Sequence, residues 1–196
     1  ACRVRRIQRQ KNPAHTGNEA YNQFLAVYFP DDELRILPYH RVVKDLNGLS
    51  EAELMQKIEG RFRVRPGPRP EPDAMHRFGL YLGGAWHQLH AFEGTFPAGD
   101  PVRSLDVSIL QENLLAPVLG IRDPRTDKRI DFVGGIRGTP ELERRCREDA
   151  KAAFALYPAT LAQLMAIADA GQIMPPKSTW FEPKLRDAMV VRMITD

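Results

Sequence analysis

Two adjacent glycines, Gly83 and Gly84, join the β-prone runs Phe78-Gly79-Leu80-Tyr81-Leu82 and Ala85-Trp86-His87-Gln88-Leu89 and leave the chain few folds to choose from. A two-residue connection closes an antiparallel hairpin when both central residues take positive φ, which glycine does without steric cost. A purely parallel doubly wound sheet is therefore disfavoured.

The flanking segments interleave helices and strands. Residues 2–11 read as a helix stopped at Asn12-Pro13, because a residue before proline is pushed out of the helical region. The β-prone run 23–29 is expected to pair through a turn at Pro30-Asp31-Asp32 with 34–37, in a hairpin continuing to Val43. Ser50 followed by Glu53 reads as a capping box, opening a helix with Leu54, Met55 and Ile58 on one face and Gly60 at its end. A strand is expected at 62–64, a helix over 104–115, a strand at 130–133, a helix from Thr139, a nearly all-apolar strand over 152–157, a helix over 160–170 and a strand over 188–194. Residues 65–73 form a proline-rich exposed connection, since four prolines between Arg65 and Pro72 remove backbone donors. The expectation is one α+β domain over 1–196, with a mixed, largely antiparallel sheet, β-hairpins and flanking helices. The helix at the start lacks an N-cap side chain, so it reads as the tail of something longer, or as a start left by removal of an initiator Met.

Charge narrows the partners. Arg3, Arg5, Arg6, Arg9 and Lys11 are five cations with no acid among the first eleven residues; removing them from the 28 basic residues leaves 23 against 25 acidic ones. The basicity is one short segment rather than a nucleic-acid-binding face, so nucleic acid is not the expected partner. With Val4, Ile7 and the arginine stems docked on the body, the guanidinium groups would face water. No run of about 18 apolar residues exists, and Cys2 and Cys146 lack metal or redox spacing, so a cytoplasmic protein with reduced thiols and no membrane contact is expected.

Three segments carry chemistry. Asp123 to Gly138 is a dense run of charges, then a strand and a glycine-rich turn before Thr139-Pro140, a geometry that presents backbone N–H groups to an anion. Gly134, Gly135 and Gly138 match neither the dinucleotide fingerprint nor a phosphate loop. Met174 to Lys184 is a stiff loop grouping Lys177, Ser178, Thr179, Trp180 and Glu182, which suits a small anionic ligand. In the third, His40 and Arg41 are neighbours on a strand and point to opposite faces, so only one can face a given cleft; His40 is the candidate acid, base or orienter. No metal centre is expected. His87 and His90 diverge on a strand, and Pro124 prevents Asp123, Asp127 and Asp131 from sharing a helix face. Cys146 lies among Arg144, Arg145 and Arg147, yet has no identifiable partner base.

The segments 24–49 (FLAVYFPDDELRILPYHRVVKDLNGL), 104–138 (SLDVSILQENLLAPVLGIRDPRTDKRIDFVGGIRG), 153–158 (AFALYP) and 174–185 (MPPKSTWFEPKL) resemble the C-terminal half of a bacterial and archaeal family of conserved hypothetical proteins. The complete members carry, upstream of the matched region, an Ala-Asp-Gly-His-His-Arg motif similar to one in the ParB and sulfiredoxin-like nucleotide-binding fold, a group that includes free-serine kinases. The resemblance implies nucleotide-dependent phosphoryl transfer, or nucleotide hydrolysis, on a small metabolite, with ATP or ADP and Mg²⁺, and the motif itself is absent from these 196 residues. From their chemistry, His40, Asp127 and Lys177 are the candidate catalytic residues, and Arg125, Lys128, Arg137, Ser178, Thr179 and Glu182 the candidate substrate wall. The competing readings are a non-enzymatic module, DNA-associated through residues 3–11, and a hydrolase with a site of unfamiliar pattern.

Overall fold

The computed structural model describes residues 2–67, 69–184 and 191. The described residues fall into two compact units, one of residues 2–35 with 183, 184 and 191, and one within 36–182.

The smaller unit opens with α1 (Cys2–Lys11), which buries none of its residues; Val4 and Ile7 are exposed. Arg5 Nε donates to Asn22 Oδ1, and Tyr21 stacks on His15. The expected strand at 23–29 does not form. Residues 24–29 are in no strand, with Phe24 and Tyr28 exposed, and the residues expected to partner that run, β1 (Arg35–Leu37), form a two-stranded sheet with β8 (Trp180–Glu182).

The larger unit is built on six strands: β2 (Tyr39–Val43), β3 (Phe62–Pro66), β4 (Arg77–Leu82), β5 (Ala85–Ala91), β6 (Ile130–Gly134) and β7 (Ala152–Leu156). Their order is β3-β5-β4-β7-β2-β6, and every pairing is antiparallel. The fold is α+β. Gly83 (φ 58) and Gly84 (φ 81) make the tight turn between β4 and β5, as their positive φ requires. The central β7 is buried along its whole length, which is why it reads as a continuous apolar run.

Alternate residues divide the core. Val43, Ala152, Phe154 and Leu156 join the cluster covered by α2 (Glu51–Glu59), α3 (Asp106–Leu110) and the π-helical turn Gln111–Leu115. Val42, Ala153 and Ala155 join Leu142 of α4 (Gly138–Glu148) on the other side. The α2 capping box has both halves: Ser50 N donates to Glu53 Oε2 at 2.8 Å, and Glu53 N donates to Ser50 Oγ at 3.3 Å. Ser50→Ala should lower stability by about 1 kcal/mol, read as a shift in denaturant midpoint without a change in slope. A second box, Thr160 with Gln163, starts α5 (Leu161–Asp169). The strand expected over 188–194 lies outside the described residues, apart from Val191, which is exposed and in no strand. Among the described residues no helix is long and apolar enough to cross a membrane.

Candidate functional site

Strand alternation decides the site. On β2, Arg41 faces a cleft of about 370 Å³ walled by Val107, Ser108 and the π-helical turn on one side, by Arg122–Arg125 on another and by Pro175-Pro176 on the third. The two loops set apart in the sequence, one beginning at Asp123 and the other around Lys177, thus both reach this cleft. Inserted π turns recur at functional sites because they re-aim side chains out of the helical register. Here Gln111 of that turn lines the cleft while its Nε2 donates to Ile121 O at 2.7 Å, tethering the 122–125 loop.

Arg41 is 4% exposed and has no carboxylate within ion-pair distance among the described residues. Its Nη1 donates to Tyr39 O at 2.8 Å, and the guanidinium lies 4.7 Å from the centre of the Phe132 ring. Burial pushes its pKa down to about 9, which leaves the cation charged at neutral pH. The acids at the rim have other partners. Glu112 pairs with Arg103 at 2.9 Å, and Asp123 accepts from Arg125 Nε at 2.9 Å and Nη2 at 3.0 Å. A buried guanidinium carries a desolvation cost that an arriving oxyanion offsets with bidentate, charge-assisted bonds.

Behind Val107 lies a smaller cavity, about 10 Å³, room for one water-sized ligand, lined by Asp106, Tyr157, Pro158 and Ser178 among others. Asp106 is 7% exposed; its Oδ1 accepts from His76 N at 2.8 Å, and its Oδ2 is buried with no partner. Burial raises its pKa to about 7. Such a carboxyl takes or gives a proton near neutrality.

The sequence-derived candidates divide by location. Arg125 lines the Arg41 cleft. Lys177, at φ 54, holds its ammonium 5.3 Å from the Tyr39 ring centre, next to the cleft wall at Pro176. Ser178 is buried, donates to Pro175 O and lines the Asp106 cavity. Asp127 is engaged by Arg129, whose Nη2 lies 2.8 Å away and whose other N–H groups reach Leu119 O and Gly120 O, so the pair pins the loop. Lys128 and Arg137 are exposed, the latter 3.5 Å from Glu141. Thr179 is half-buried, and Glu182 accepts from Trp180 Nε1. His40 faces away, into a different cleft. Asp123, Asp127 and Asp131 each pair with a different arginine, namely Arg125, Arg129 and Arg145. Cys2 and Cys146 are free thiols, and burial pushes Cys146 up to about 11 despite its arginines.

Arg41 and Asp106 were not among the candidates. Alternation separates His40 from Arg41 but does not say which face opens, and an aspartate in the first turn of a helix ordinarily reads as a solvated dipole partner.

An antiparallel α+β unit with a cleft lined by a buried arginine is the class of protein this geometry defines. A family model described as "Protein of unknown function (DUF1015)" matches residues 1–108, and the chain belongs to that family. No curated protein matches it in sequence. Among solved structures it is similar to a free serine kinase in complex with AMP, at 14% identity and TM-score 0.46, with 77% of this chain and 55% of that one covered. A conserved hypothetical protein from Pyrococcus furiosus gives 13% and 0.46, covering 77% and 57%, and SbnI with a C-terminal truncation from Staphylococcus aureus gives 16% and 0.44, covering 79% and 52%. The chain spans about half the length of these structures.

Proposed function

We propose that this chain forms the substrate side of a nucleotide-dependent phosphotransferase acting on a small anionic metabolite, with its nucleotide motif on an upstream segment. The observation that carries the reading is Arg41, a buried cation that lines an open cleft and meets no carboxylate among the described residues. Bound Mg²⁺ and ATP would supply the transferable phosphoryl group. Arg41 holds the oxyanion of the substrate, and Arg122 and Arg125 on the rim attract it and screen charge during transfer. Asp106, whose Oδ2 lies in the one-water cavity behind Val107 rather than in the cleft itself, would take the substrate's hydroxyl proton through a water in that cavity, while bound ATP would supply the phosphoryl group and leave as ADP.

Inorganic phosphate tests the cleft directly. Phosphate should raise the melting temperature of the wild-type chain by several degrees once its concentration is about 100 times Kd. Arg41→Gln should abolish that rise while leaving the ligand-free protein equally or more stable, because it removes an uncompensated buried charge. An equal phosphate response in both proteins would overturn the site. Titration of ATP or ADP with Mg²⁺ into this chain and into a form extended upstream tests the transfer reading, which predicts nucleotide binding by the extended form and fails if neither binds.

A further inference from the structure

The cleft behind β2 makes the opposite use of the same alternation. His40 is 3% exposed, and its Nδ1 accepts the backbone N–H of Leu156 at 3.2 Å. A ring nitrogen that accepts carries no proton, so in the neutral imidazole the hydrogen sits on Nε2, which has no protein partner among the described residues. Burial holds the ring neutral by pushing its pKa down to about 4. His40 lines a cleft of about 210 Å³ on the α4 side of the sheet.

The walls of that cleft say what fits. Pro38, Pro72 and Pro158 offer flat apolar surfaces without backbone donors. Gly135 and Gly138 bring the backbone close, and their N–H groups are already given to Pro38 O and Gly135 O. Among the described residues no cation lines the cleft, so it does not suit a free phosphate. The polar side chains are His40, a fixed donor, and the exposed Glu71, a charged acceptor. A planar ring lying against these prolines that offers an acceptor to His40 and an N–H to Glu71 satisfies both.

We propose that the His40 cleft binds a planar nitrogen heterocycle with an acceptor beside an N–H donor, the edge of a nucleobase, with Nε2–H of His40 donating to the ring and the Glu71 carboxylate accepting from it. The site is separate from the Arg41 cleft and does not rest on the phosphotransfer reading. Phosphate-free nucleosides probe this cleft and inorganic phosphate probes the other, so either assignment can fail alone.

The test is titration of adenosine, guanosine and uridine into the full chain, followed by calorimetry and by the ¹H–¹⁵N signals of the His40 ring. At least one of the three, each of which has an acceptor beside an N–H on its base edge, should bind and shift the Nε2–H resonance. Glu71→Gln, an exposed change that spares the fold, should weaken binding at least tenfold, His40→Phe should do the same, and Arg41→Gln should leave it unchanged. Absence of binding by all three nucleosides at millimolar concentration would overturn the proposal. So would binding indifferent to Glu71→Gln, or binding lost in Arg41→Gln, which would place the ligand in the other cleft.

Discussion

Asp106→Asn is expected to stabilise the protein at pH 8 by about 2–4 kcal/mol, roughly 5–10 °C in melting temperature, and to add little at pH 4. The folded-state pKa of Asp106 is raised to about 7, against about 3.9 in an unfolded chain. Its stabilising contribution is therefore fully present below pH 4 and is lost as pH rises through 7, where the buried Oδ2 must carry charge with no partner. Asparagine keeps an acceptor for His76 N and never ionises. His40 works in the reverse sense. Its folded pKa is depressed to about 4 from an ordinary 6.5, so its contribution is present above pH 6.5 and is lost on acidification toward 4. Between pH 4 and 6.5 the two slopes oppose, so Asp106→Asn should uncover a stability that rises with pH across that window and then levels off. Thermal melts from pH 4 to 8 read this; a mutant profile parallel to the wild type would show that Asp106 does not titrate there. The same variant should slow phosphoryl transfer if Asp106 takes the substrate proton, so added stability and lost turnover would arise from one carboxyl.

Gly79→Ala should cost about 2–3 kcal/mol, roughly 5–10 °C. Gly79 lies within β4 between β5 and β7, and a Cβ there would overlap the Pro70 carbonyl oxygen and come within 3.2 Å of Ala155 Cβ. One obstacle is backbone of a proline-rich loop and the other is core, so neither yields cheaply. Gly99→Ala, where a Cβ meets nothing within 4 Å, is the matched control and should be near neutral. Denaturant midpoints compare the two, and equal effects would mean that the loop moves freely. Gly79 thus explains the course of residues 70–72: the bare strand lets the loop settle on the sheet, where Glu71 and Pro72 reach the His40 cleft.

Local chemistry was legible in the residues themselves. Glycines at 83 and 84 close a hairpin because only their φ matters; Ser50 with Glu53 caps a helix because both bonds span three residues; the apolar run at 152–156 marks a strand buried on both faces. The basic helix at the start was equally readable. The misreading at 23–29 has the opposite origin. Strand propensity there was sound, but a strand needs a partner, and residues 35–37 pair with residues 180–182, well over a hundred positions away.

The site divides along the same line. Alternation alone determined that His40 and Arg41 face opposite ways, and composition marked the loops around Asp123 and Lys177 as charged and stiff. Only the tertiary structure decided that Arg41 faces the cleft those loops share, that Asp106 is buried with an oxygen unpaired, and that Asp127 is spent on Arg129. The physical reason is that desolvation and charge pairing depend on what other elements bring within a few ångströms, whereas caps, turns and periodicity depend only on neighbours in the chain.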